Sequence, residues 1–134
     1  MAESGMRFAM PHYPCEFQIP DEWWAEADMA GFAAIEPSYR STRDAELVPL
    51  PEIEPPYRKI TTPHDWCGFD RARLAHILKG FTTGTRIQPV PLLELPPSDL
   101  PSRTPYGYRV LDGYHRFYAS IAAGFECLPA SVIR

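Results

Sequence analysis

Cysteine, long apolar runs and charge of one sign are all scarce in this chain, and each shortage removes a class of protein. The three cysteines, Cys15, Cys67 and Cys127, are odd in number and far apart, so they make neither a disulfide framework nor a CxxC zinc or redox pair. Buried or idle thiols are what such spacing leaves. No apolar stretch approaches the roughly 20 residues that cross a bilayer, and no membrane partner is expected. Residues 1–6 lack the basic segment, apolar core and small-residue cleavage site of a secretion signal, which makes the cytoplasm the expected compartment. A net charge of −4 repels polyanions, so any nucleic-acid surface would have to be local. The Walker glycine loop, the HExxH zinc motif and the serine nucleophile elbow are missing too.

What is present fits one domain. A chain of 134 residues is long enough for a single core and short for two. Hydrophobic residues at 45% and charged residues at 22% are globular proportions. Sixteen prolines are about twice the average usage of roughly 5%, and they gather at residues 49–56 and 89–105. Those stretches are expected to be extended or turning segments wrapped on a core.

Residues 1–20, with Pro11, Pro14 and Pro20, read as an irregular arm. Asp21 is placed to cap a short helix through roughly Ala30, with Trp23, Trp24 and Ala27 on its apolar side and Gly31 ending it. The tryptophans suit packing anchors better than a base-stacking platform, because large aromatics usually serve cores. Between residues 32 and 56 only Glu46-Leu47-Val48-Pro49-Leu50 resembles a strand, and a proline-rich connector follows. The arm, short helix and connector thus occupy 1–56, ahead of a domain at 57–134, in one compact unit.

Tyr57 to Thr61 alternates as a strand does, until Pro63-His64-Asp65-Trp66 breaks it. Asp70 can cap a helix whose apolar residues Leu74, Ile77, Leu78 and Phe81 repeat at i, i+3, i+4 and i+7, with Gly80 near its end and His76 off the stripe. Ile87 to Leu95 is extended, and Pro89 and Pro91 point to an edge strand. Tyr106 to Leu111 reads as the central strand of the second half. Asp112 starts a helix in which Tyr114, Phe117, Tyr118, Ile121 and Ala122 share one face, and Gly124 supplies the left-handed stop. Leu128 to Ile133 closes as a short strand. Alternating helices and strands imply an α+β fold, a small mixed sheet flanked by helices.

Asp112-Gly113-Tyr114-His115-Arg116 has the parts of an anion site. A strand ends, a glycine lets backbone approach a ligand, and the first-turn amides and helix dipole favour negative charge. Arg116 can grip two phosphate oxygens with its fork, and His115 can donate a hydrogen bond or shuttle a proton. Asp112 cuts the other way: a carboxylate there caps the helix or repels a phosphate, unless a metal ion or a substrate hydroxyl lies between them. Weaker candidates are the His64/Asp65 pair, better explained by a capped turn, and Glu52 and Glu54, better explained as solvated charges. A basic strip of Arg40, Arg43, Arg58 and Lys59 is diluted by Asp44 and Glu46.

Four blocks in order resemble the ParB/sulfiredoxin superfamily: Arg73 with Ile77-Leu78-x-Gly80; Arg86-Ile87-Gln88-Pro89-Val90; Tyr108-x-Val110-Leu111-Asp112-Gly113-Tyr114-His115-Arg116-Phe117-x-Ala119; and Ala123-Gly124 followed by Pro129-Ala130. They cover 57–134. The resemblance implies nucleotide phosphates bound at Asp112 to Arg116. Tyr114 stands where sulfiredoxins place a reactive cysteine, so sulfinic acid reduction is not expected. Partition-type members carry Glu-Arg-Arg after the glycine and continue into a helix-turn-helix domain, and a complete partition protein is not expected either. The Asp-Gly-x-His-Arg form is closer to the branch with a free serine kinase and ParB-like nucleases. By that likeness Asp112 and His115 are the catalytic candidates, and Gly113, Tyr114, His115 and Arg116 the phosphate-binding ones. Magnesium with ATP or another nucleoside triphosphate is the implied cofactor, and no protein-bound metal is expected. The leading expectation is a nucleotide phosphate-binding protein with hydrolase or phosphotransferase chemistry. A DNA-binding or nuclease module is the alternative. The third is a non-catalytic interaction module, docking a partner or a second copy of the chain through Trp23 and Trp24.

Overall fold

Phe17 and Ile19 alternate into the interior, 2% and 0% exposed, and that alternation is what a strand covering a core on one side requires. Glu16–Pro20 (β2) accordingly pairs antiparallel with Gly5–Ala9 (β1), from Gly5 opposite Pro20 to Ala9 opposite Glu16. The computed structural model describes residues 5–9, 16–56, 69–96 and 106–134, and over them the expected irregular arm is a hairpin. Tyr57 to Thr61, His64 and Asp65 fall outside the described residues.

Asp21–Glu26 forms a six-residue helix (α1), shorter than expected and capped by Pro20 rather than Asp21. It stops because Asp28 turns left-handed, at φ 59°, and this swings Met29 into the core. Trp23 is buried, Trp24 packs partly buried against the core, and the guanidinium of Arg71 lies 6.0 Å from the Trp23 ring. The tryptophans are therefore packing anchors.

Glu46–Pro49 (β3) leads through a 3-10 turn to the short Ile53–Glu54 (β4). Asp70 caps Arg71–Thr83 (α2) as its position predicts, its carboxylate accepting the Arg73 N–H at 3.0 Å. Leu74, Leu78 and Phe81 of α2 are buried, and the helix runs past Gly80 to the left-handed Gly84. Val90–Glu94 (β5), Tyr108–Val110 (β6), Tyr114–Ala123 (α3) and Cys127–Ile133 (β7) complete the chain.

Five of the strands form one mixed sheet in the order β3-β7-β5-β6-β4. β7 runs antiparallel to β3 and parallel to β5, while β6 runs antiparallel to β5 and parallel to β4. Residues 46–54, expected as a strand-like run at 46–50 followed by a connector, thus supply both outer strands of a sheet whose interior comes from residues 90–133. Segments on both sides of residue 56 share one buried cluster, and the class is α+β as expected.

β5 is the middle strand and not an edge, despite Pro91. The carbonyl of Pro91 accepts the Leu111 N–H at 3.0 Å, but the imino acid has no N–H to return. The β5–β6 ladder ends there, its last full pair being Leu92 with Val110. Proline is tolerated because it sits where that ladder stops, and stopping it frees residues 112 and 113 to turn into α3.

Candidate anion-binding site

The turn that closes β6 is built around Gly113, whose φ of 133° is open to glycine and strained for other residues. A Cβ at Gly113 would stand 2.8 Å from Cγ1 of Val90 in β5, so backbone and sheet are in direct contact. Gly113, and not Asp112, occupies the cap position of α3, and no side chain caps the helix. Its first internal bond runs from the Phe117 N–H to the Gly113 carbonyl at 2.9 Å. The amides of the first turn therefore point out of the helix end with the positive end of its dipole.

A cleft of about 370 Å³ opens at this point, lined by Asp112 to Arg116 together with Arg73 and Ile77 of α2. All five residues of the motif thus meet in one place. Their side chains are not disposed as the sequence suggests.

Arg116 is turned toward main chain. Its Nη1 donates to the carbonyls of Gln88 at 3.1 Å and Pro89 at 3.0 Å, and its Nη2 to that of Asp112 at 3.4 Å. The fork expected to hold a phosphate ties α3 to the segment leading into β5. The Gln88 carbonyl also accepts the Tyr39 hydroxyl at 2.7 Å. Burial pushes the Tyr39 phenol well above its ordinary range, an effect that the charge and hydrogen bond of Arg116 only partly oppose.

His115 is engaged as well. Its Nε2 accepts the backbone N–H of Asp70 at 2.9 Å, an assignment that places the ring hydrogen on Nδ1. That bond ties the first turn of α3 to the cap residue of α2. Tyr114 packs its ring against Phe69 at 5.6 Å and Tyr118 at 5.1 Å. Asp112 is exposed, and its carboxylate makes no hydrogen bond or ion pair among the described residues.

Arg73 is the residue that sequence reasoning missed as a ligand. It is exposed, lines the cleft, and its guanidinium has no hydrogen bond or ion pair among the described residues. It stands in the first turn of α2, where a cation opposes the dipole at a cost of about 0.3–1 kcal/mol. Its neighbour Arg71 has the same handicap but is paired with Glu26 at 3.1 Å. An arginine three residues after an N-cap, where a cation opposes the helix dipole, was the available signal.

Several other cations are matched by carboxylates among the described residues. Arg109 pairs with Glu54 at 2.7 Å, Arg134 with Glu46 at 3.0 Å and Glu94 at 3.3 Å, Lys79 with Asp28, and Arg40 with Glu36 at 3.8 Å. Glu54 is thus an ion-pair partner. Of the expected basic strip, Arg40 is opposed by a carboxylate, Arg43 is exposed with no side-chain hydrogen bond or ion pair among the described residues, and Arg58 and Lys59 fall outside the described residues. Among the described residues no group of three or more His, Cys, Asp or Glu side chains could hold a metal ion.

The fold and cleft define a small α+β domain with a cationic, glycine-floored depression between two helix N-termini. No protein-family model matches the chain, and neither does any curated protein. The likeness to the ParB/sulfiredoxin superfamily rests on the four blocks of sequence alone.

Proposed function

We propose that this domain binds the phosphates of a nucleoside di- or triphosphate in the cleft between α2 and α3, as a ParB/sulfiredoxin-like protein would. The observation that carries the reading is Arg73: an arginine held against a helix dipole, without a partner among the described residues, lining the same cleft as the uncapped start of α3. A phosphate between them would accept hydrogen bonds from the α3 backbone and from the Arg73 guanidinium at once.

Asp112 is the carboxylate of the cleft. It can orient an acceptor hydroxyl, or share a magnesium ion that arrives with its nucleotide and keeps its phosphate and water ligands. Hydrolysis or phosphoryl transfer would then rest on positioning and charge neutralisation. The matched ion pairs on the surface give no support to the DNA-binding alternative.

Calorimetric titration with ATP, CTP and GTP, each with and without magnesium, tests the proposal. The wild-type chain is expected to bind at least one of them. Arg73→Ala is expected to weaken that binding about tenfold to a hundredfold, the loss of one charge-assisted contact. Equal affinity in the two proteins, or no binding by the wild type, would overturn it.

A further inference from the structure

At the opposite end of α2, residues 32–40 pass over the last turn of the helix and, with Phe125, enclose a second cleft of about 410 Å³. Its floor is aromatic. Phe81 stacks on Tyr39 at 5.6 Å and meets Phe125 edge-on at 5.2 Å, and Phe32 meets Phe125 edge-on at 6.1 Å. Hydroxyls on the rim are turned back onto the fold: Thr82 and Thr83 donate to the Lys79 carbonyl at 2.8 and 3.1 Å, and Ser38 to that of Tyr39 at 3.0 Å. The aromatic floor is thus ringed by polar groups of the rim, several of them bonded within the fold.

Ile35 stands on the same rim, 93% exposed. The strap that carries it is anchored. The Pro37 carbonyl accepts the N–H groups of Glu126 at 3.0 Å and Cys127 at 2.9 Å, and the Arg40 carbonyl accepts that of Ile87 at 2.8 Å. The isoleucine is thus held out beside an aromatic hollow by a hydrogen-bonded segment. Flanking it, Glu36 and Arg40 are loosely paired at 3.8 Å, with side chains 55% and 60% exposed.

An apolar knob, a hollow with an aromatic floor and one charge of each sign on a single patch make that patch complementary to itself. A two-fold axis sets residue i of one copy against residue j of the other and the reverse. We propose that this face joins two copies of the chain: Ile35 of each enters the aromatic cleft of the other, and Glu36 of each meets Arg40 of the other. The interface is independent of the anion site at the N-terminal end of α2. A contact centred on one knob and hollow is small beside standard interfaces, so a weak dimer follows, with dissociation in the micromolar to millimolar range.

Sedimentation velocity of the intact chain over a concentration series up to millimolar tests this. Wild type is expected to shift from monomer toward dimer, and Ile35→Asp to weaken association by about 30-fold or more, as loss of a central anchor does. Glu36→Arg and Arg40→Glu are each expected to associate poorly alone. An equimolar mixture of those two variants is expected to form a heterodimer, because both crossed pairs are then attractive. A wild type that stays monomeric throughout, or a mixture that associates no better than its components, would overturn the proposal.

Discussion

His115 accepts the backbone N–H of Asp70 at 2.9 Å, which locks the first turn of α3 onto the cap residue of α2. The two helix N-termini bounding the anion cleft are thus held together by a side chain from within it. The bond also explains why a polar residue sits partly buried beside Phe69, 6.0 Å from its ring.

Removing that acceptor is expected to loosen the junction. His115→Ala should cost about 1 kcal/mol in urea unfolding, the net worth of an ordinary hydrogen bond, and should weaken nucleotide binding by spreading the cleft. His115→Gln retains an acceptor and is expected to recover part of both. An equal loss in the two variants would assign the effect to ring packing on Phe69 instead.

Arg73 and Arg116 are expected to separate affinity from stability. Arg73→Ala should leave unfolding unchanged or raise stability by up to about 1 kcal/mol, since it relieves a cation at a helix start, while nucleotide affinity falls. Arg116→Ala removes donors from three carbonyls and should destabilise by about 1–3 kcal/mol. Calorimetry and urea titration on both variants check the pattern. A stable Arg116→Ala protein with no nucleotide affinity would reverse the two assignments.

Much of this was legible in the sequence where the chain's own periodicity decides structure. The Asp70 cap, the Leu74/Leu78/Phe81 face, the α3 stripe and the left-handed stop at Gly124 (φ 91°) all follow from local rules. What was not legible depends on partners distant in sequence. Pro91 argued for an edge strand, yet lies in the middle of the sheet, because only the end of β6 decides whether its missing N–H matters. The N-terminal hairpin was hidden by prolines that say where strands cannot run and not where they pair. The five motif residues were read as a group, and they line one cleft. Their division of labour was not legible, because a sequence shows that an arginine is present and not which carbonyls it faces.

Tyr39 makes stability depend on alkaline pH. Its phenol is raised by burial, with Arg116 opposing weakly, so the folded state keeps a proton that the unfolded state releases near pH 10. The contribution is fully present below that pH and is lost as pH rises above it. Tyr39→Phe should cost about 0.5–1.5 kcal/mol at neutral pH, the bond to Gln88, and should flatten the decline between neutral and strongly alkaline pH. Urea midpoints of both proteins across that range give the test, and parallel declines would show that Tyr39 is not the titrating group.

Gly113 carries two separable constraints, and substitution can tell them apart. Alanine there meets a backbone at φ 133°, a strain of about 1–3 kcal/mol for a residue with a side chain. It also places a methyl group 2.8 Å from Cγ1 and 3.0 Å from Cγ2 of Val90, and overpacking adds about 1–3 kcal/mol. Gly113→Ala should therefore be among the most destabilising single changes in the chain. Val90→Ala makes room for the new methyl but leaves the dihedral angle as it is. The double variant is expected to lose less than the sum of the two singles, the difference measuring the clash, while remaining well below Val90→Ala alone. Additive losses in urea unfolding would mean that β5 yields to the methyl group and that the dihedral angle is the main constraint. Restoration to the level of Val90→Ala would mean that the turn tolerates alanine, and that glycine is required there only for its closeness to the sheet.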